Sequence, residues 1–244
     1  MIVTEVPEQP KHWMMLPGRR RDPRATFTRS LTELASLLGV SIPAGVYTDR
    51  EGYWAAKQPV LKEIKIRRPP PDELFAPLMR TAIHDPNPSF NRQFIEPAIR
   101  DFGRRRVQSA LLDAMRDGTD QDRAGVASAW YWSCLPLSAI DGVLDGARPA
   151  DFDDVTGLGV EWDEVCLRAF LRTGDIGVRR SIVGILFPRA PEFFAEHLRD
   201  LAAEVIRIVH AGDDADMRHR IGAVDLSHGR LRGWWRRTRY RGTG

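Results

Sequence analysis

The sequence predicts an all-α chain of stacked helical hairpins, and three observations predict it. From Asp72 to Gly229, apolar residues recur at helical spacing almost without interruption. Within that span one pattern is said three times, around Gly118, Gly174 and Gly212. The three prolines of "RRPPPDEL" (67–74) then separate the span from a less regular N-terminal part, because consecutive prolines cannot sit inside a helix although the last can open one. The expected organisation is an arm and small mixed segment over 1–71, a helical repeat domain over 72–229 with an insertion loop at about 135–160, and a basic aromatic tail over 230–244.

Taken in order, residues 1–25 are rich in proline and arginine ("LPGRRRDPR") and read as an extended arm. Residues 26–40, "TFTRSLTELASLLGV", read as a short amphipathic helix with Leu31, Leu34, Ala35 and Leu38 on one face. Thr28 or Ser30 is placed to cap it, and Glu33 stands three past Ser30 as in a capping box. "ELASLLGVS" matches the first helix and turn of a helix-turn-helix DNA binder, but Pro43 and Gly45 interrupt the place of a recognition helix. "GVY" (45–47) and "LKEIKI" (61–66) suit short strands. Past the triple proline, "DELFAPLMRTAIH" and "NRQFIEPAIRDFG" form a first helix pair across the turn "DPNPS", with a kink or restart expected at Pro97.

The repetition is clearest in register. Seven, four and three residues before each of the three glycines the side chain is apolar: Leu111, Ala114, Met115; Leu167, Phe170, Leu171; Val205, Ile208, Val209. That is one helix face. Glycine just past its end is the expected left-handed stop. An aspartate (Asp120, Asp175, Asp213) then stands where it would cap the next helix. A second apolar set follows: Ala127, Ala129, Trp130; Val183, Ile185, Leu186; Ile221, Ala223, Val224. The glycines are 38 and 56 residues apart, and removing the acidic, Gly-rich "SAIDGVLDGARPADFDDVTGLG" from the longer interval restores a similar period.

"TGDIGVRRSIVGIL" (173–186) and "AGDDADMRHRIGAV" (211–224) resemble HEAT-type repeat hairpins, and the stretch from Pro88 to Gly125 is similar to bacterial HEAT-like proteins. "MRDGTDQDRAG" departs from the pattern, with Asp122 where a valine is expected. The resemblance implies a solenoid fold and no particular activity; on the concave face of such a stack, Arg123, Tyr131, Trp132, Arg179, Arg180 and Arg218 are the candidate contacts for another protein. It also implies that Arg123, Arg179 and Arg218 pair with aspartates of successive hairpins in a ladder.

Composition narrows the function classes. The net charge is +3, but the tail carries six arginines and no acid, so the first 229 residues sum to about −3. Only four of the 36 basic residues are lysines, a bias that reads as the mark of a GC-rich, bacterial genome rather than of nucleic-acid recognition. Cys134 and Cys166 read as two buried thiols in a reducing, cytoplasmic compartment. The N-terminus does not have the form of a signal peptide, and no apolar run is long enough to span a membrane.

Motifs for chemistry are sparse. The sequence has no HExxH, GxSxG, Walker or GxGxxG pattern. Asp151, Asp153 and Asp154 lack the spacing of a calcium loop, so no metal and no cofactor are expected. Two aromatic clusters stand out. In "AWYWSC" Trp130 belongs to the core register, while Trp132 points to another face and suits either packing between repeats or a groove. In the tail, Arg230, Arg232, Trp234, Trp235, Arg236, Arg237, Arg239, Tyr240 and Arg241 interleave cations with rings, a composition suited to a solubilising end whose tryptophans cap the last repeat, to a phosphate backbone with stacked bases, or to an anionic membrane surface. The leading expectation is a non-catalytic interaction protein. The alternatives are a nucleic-acid binder using the tail with Arg104, Arg105 and Arg106, and an enzyme of the HEAT-like DNA glycosylase type.

Overall fold

The structure, a computed structural model, describes residues 23–45, 49–67, 69–87, 91–135, 156–187 and 190–222. The tail and most of the insertion loop lie outside the described residues, as does the arm up to residue 22. The chain is all-α. Ten helices are described: α1 Pro23–Leu38, α2 Arg50–Ile66, α3 Phe75–His84, α4 Arg92–Phe102, α5 Arg104–Asp117, α6 Asp120–Ser133, α7 Thr156–Arg172, α8 Ile176–Leu186, α9 Arg199–Ala211 and α10 Ala215–Gly222. Short 3₁₀ turns at Asp72–Leu74, Pro191–Phe193 and Glu196–Leu198 lead into α3 and α9.

Neighbours in sequence pack as pairs: α1 with α2, α3 with α4, α5 with α6, α7 with α8, α9 with α10. Contacts between pairs form two rows. One runs α1, α3, α6, α8, α10 and the other α2, α4, α5, α7, α9. The helix order reverses at Gly103, which alone joins α4 to α5 and puts both in the same row. Gly103 has φ 86°, a left-handed conformation that a side chain resists, and this makes so abrupt a link possible. A single apolar cluster runs from Phe27 on α1 to Ile221 on α10.

Most of each predicted face is buried, while Ala114, Leu171, Ile185 and Ile208 are only partly buried against the core. Leu111, Met115, Leu167, Phe170, Val205 and Val209 of the first helices are buried, as are Ala129, Trp130, Val183, Leu186 and Ile221 of the second. Ala223 and Val224 lie outside the described residues. Trp130 stacks flat on Trp162 of α7, with ring centroids 4.1 Å apart.

Several local expectations are corrected. "LKEIKI" is not a strand but the last third of α2, and no strand occurs among the described residues. Tyr53, Ala56, Val60, Leu61 and Ile64 share one buried face, a helical repeat that a six-residue window cannot distinguish from alternation. The first helix starts at Pro23, so Thr28 and Ser30 lie inside it, and Glu33 pairs instead with Arg80 of α3 at 2.5 Å. Helix α4 runs through Pro97 without a restart. Gly118 and Gly212 are not left-handed stops, with φ −69° and −86°. At Gly118 the need for glycine is space: a Cβ would overlap the Ala114 carbonyl oxygen and stand 2.9 Å from Asp122 Cβ.

The caps also shift. Asp175 caps α8 as expected, accepting from Gly177 N at 2.8 Å and Val178 N at 3.0 Å. In the first unit Thr119 caps α6 in a reciprocal capping box with Asp122, the residue that had replaced the valine. In the third, Asp214 rather than Asp213 accepts from Met217 N at 3.0 Å.

The expected arginine ladder is replaced by another device. Arg123 donates to the carbonyls of Met115 and Arg116 at the end of α5, each at 3.0 Å. Arg218 donates to the Gly212 and Asp213 carbonyls beyond α9. Arg179 lies over the Phe170 ring of α7, 5.1 Å from its centroid. Each of the three thus turns back onto the first helix of its own hairpin. Terminal carbonyls lack donors within their helix, and a cation there suits both the hydrogen bond and the helix dipole. Arg104 closes the other end of the α5/α6 hairpin. It is buried and donates to the Ser133 carbonyl and to the Leu135 carbonyl. The pair that does cross between hairpins is Arg180–Asp214, at 2.8 Å.

Candidate binding groove

Helices α2 and α4 stand side by side at one end of their row, and the surface between them opens into a groove of about 860 Å³. From α2 come Ala55, Gln58, Pro59, Leu61, Lys62 and Lys65, and from α4 come Gln93, Glu96, Pro97 and Arg100. The spacing explains the lining. Residues 55, 58, 62 and 65 recur every three or four positions, so they share the face of α2 opposite the buried one.

Each helix carries a proline inside it, Pro59 and Pro97, and both prolines line the groove. A proline has no amide hydrogen, so the carbonyl four residues earlier loses its helical donor. Those carbonyls belong to Ala55 and Gln93, which also line the groove. The side-chain Oε1 of Gln93 is shielded from solvent and accepts no hydrogen bond. Along the groove, the Ala55 and Gln93 carbonyls therefore lack their usual helical donors.

Charge is distributed unevenly around it. Lys62 and Lys65 are exposed, and neither forms an ion pair among the described residues. Arg100 closes one end by donating to Asp101 Oδ2 at 2.5 Å and to the Ile64 carbonyl of α2 at 3.4 Å. Glu96 accepts from Arg92 Nε at 2.7 Å, so its charge is offset. The Arg92 guanidinium lies 5.2 Å from the centre of a Trp132 ring, and Trp132 meets Tyr131 edge-on at 5.1 Å. Tyr131 is 43% exposed. The aromatic pair at the end of α6 thus joins the groove through Arg92 and Glu96.

Behind the groove, on the buried side of α2, lies a polar network that the sequence did not suggest. Lys57 donates to Tyr53 Oη at 2.8 Å and to Asp85 Oδ2 at 2.7 Å, and Tyr53 donates to Asp85 Oδ1 at 2.5 Å. Asp85 also accepts from Asn87 N at 3.0 Å, so it organises the turn into α4. Burial holds the Lys57 ammonium below its usual range, against the upward pull of Asp85. Burial and then Asp85 push the Tyr53 hydroxyl far above the ordinary tyrosine range.

Of the residues singled out from sequence, Tyr131 and Trp132 lie together beside this groove, whereas Arg123, Arg179, Arg180 and Arg218 hold helices to helices as described above. The nine tail residues from Arg230 to Arg241 lie outside the described residues. Of the arginine run, Arg104 is buried, whereas Arg105 and Arg106 are exposed, Arg106 being paired with Asp72 beside Phe75 and Phe102. Neither Cys134 nor Cys166 is in a disulfide; Cys166 is buried as expected, but Cys134, at the end of α6, is only partly so. Among the described residues no group of three or more metal-ligating side chains gathers, and no helix is long and apolar enough to cross a membrane.

Sequence reasoning missed the groove because it did not read α2 as a helix. Two signals were present. Three of the four lysines in an arginine-dominated chain fall within Arg50–Ile66. Prolines also interrupt two otherwise helical patterns.

Fold and groove define the chain as an all-α protein with a lined surface groove at one end of paired helices. Compared with protein-family models, curated proteins and solved structures, the chain matches none.

Proposed function

We propose that the chain is a HEAT-like helical-repeat interaction protein that binds another protein without catalysis. The rows of paired helices have the succession expected of stacked hairpins, each pair burying a stripe it cannot bury alone. The observation that carries the binding role is the groove between α2 and α4, continued by Arg92 to Trp132 and Tyr131. Its mixture of apolar floor, open acceptors and cationic rim is the composition of a recognition surface, and its volume suits a peptide segment or a small ligand. The aromatic pair adds rigid contact area of the kind that anchors interfaces.

Site-specific photo-cross-linking tests this reading. A benzophenone side chain placed at Gln58, on the groove, is expected to capture a discrete protein in cells of the source organism, while one placed at Arg207, exposed on α9, does not. Equal labelling from both positions, or none from position 58, overturns it.

A further inference from the structure

We infer that the α2/α4 groove takes an extended, acidic polypeptide segment of its partner, with carboxylates on Lys62 and Lys65 and backbone amides on the proline-orphaned carbonyls. The inference rests on the protein-binding reading above and names the chemistry of what enters the groove. Two features select the class. The unpaired cations at the rim ask for anions. The carbonyls of Ala55 and Gln93, which lose their helical donors to Pro59 and Pro97, ask for hydrogen-bond donors.

A peptide backbone supplies an amide donor at nearly every residue, whereas a phosphodiester backbone supplies none. The dimensions agree. Ala55 and Lys62 are seven residues apart on a helix, roughly 10 Å, and Lys65 lies about 5 Å further. An extended peptide covers these spans in roughly three and one to two residues. The segment expected is therefore short, with acids set a few residues from an apolar side chain that rests on Pro59, Leu61 and Pro97.

The test uses the full chain and a random twelve-residue peptide display library. Wild-type protein is expected to enrich peptides with an excess of Asp and Glu beside apolar residues. The enriched peptide, labelled and titrated by fluorescence anisotropy, should bind the Lys62→Glu/Lys65→Glu variant about tenfold more weakly, since attraction becomes repulsion at two contacts. Both lysines are exposed, so the variant's thermal midpoint should match wild type. A peptide with its acids exchanged for lysine should recover binding to the variant.

A pool without acidic excess, or affinity indifferent to the reversal, overturns the inference while position-58 cross-linking to a protein would still stand. Competition by a 20-nucleotide single strand that depends on the same lysines and exceeds the peptide's affinity also overturns it. So does tighter binding of a synthetic peptide of residues 141–154, which would make the chain its own occupant. Loss of cross-linking at position 58 with acidic peptides still bound would instead fault the protein-partner reading in cells.

Discussion

Lys57 Nζ lies 2.7 Å from Asp85 Oδ2 with both side chains fully buried, and this pair fastens α2 to the turn that starts α4. A buried ion pair is weak evidence of net stabilisation, yet removing one partner strands the other charge. Lys57→Met is therefore expected to cost about 3 kcal/mol or more in urea unfolding. Lys57→Met with Asp85→Asn should recover part of that loss, because asparagine keeps an acceptor for Asn87 N. Equal loss in the single and double variants would show that the charge itself does not matter.

The same network sets an alkaline limit. Tyr53 keeps its proton in the folded state well above the ordinary tyrosine value, so the unfolded chain releases that proton first. The contribution is complete below about pH 10 and falls as pH rises past it, by at most about 1.4 kcal/mol per pH unit. Lys57 acts oppositely. Its folded value is depressed, so between that value and about 10.4 the unfolded chain holds more protons and stability rises with pH. Tyr53→Phe should thus flatten the loss of stability between pH 10 and 11, read as the urea midpoint against pH. An unchanged slope would place the titration elsewhere.

Gly125 marks the closest approach of α6 to α3. A Cβ there would overlap the Ile83 carbonyl oxygen and stand 2.9 Å from its carbon. Both obstacles are backbone, so the helices must separate. Gly125→Ala is expected to lower stability by about 1–3 kcal/mol despite the better helix propensity of alanine. Thermal unfolding decides the sign.

The Trp130–Trp162 stack joins the α5/α6 pair to α7. Trp130→Ala should cost about 3–5 kcal/mol and remove much of the near-ultraviolet circular dichroism of the paired indoles. Trp162→Phe keeps a ring in place and should cost clearly less.

At the binding surface, Trp132→Ala is expected to weaken capture of the cross-linked partner by about tenfold while lowering the thermal midpoint less than Trp130→Ala does, because Trp132 is only partly buried against the core. Arg92→Ala should act in the same direction more weakly, by freeing Glu96 and loosening the indole.

Much of the local architecture was legible in the chain itself. The apolar register around Gly118, Gly174 and Gly212 marks the buried faces of α5, α7 and α9, because a 3.6-residue period ties side-chain direction to sequence separation. The same period places Trp130 in the core and puts Trp132 on another face, where it packs, partly buried, against the edge of the core. Caps were legible only to within a residue, since Asp120 and Thr119, or Asp213 and Asp214, have nearly equal capping chemistry and the neighbouring pair decides. Tertiary packing alone determined that "LKEIKI" is helical, that Arg123 and Arg218 turn back onto carbonyls of their own hairpins, and that Lys57 meets Asp85. Sequence separation carries no information about which distant backbone end lacks a donor, and an arginine or lysine finds that end only once the helices are side by side. The groove has the same origin: Pro59 and Pro97 are each a local interruption, and they become one surface only because α2 and α4 pack as neighbours.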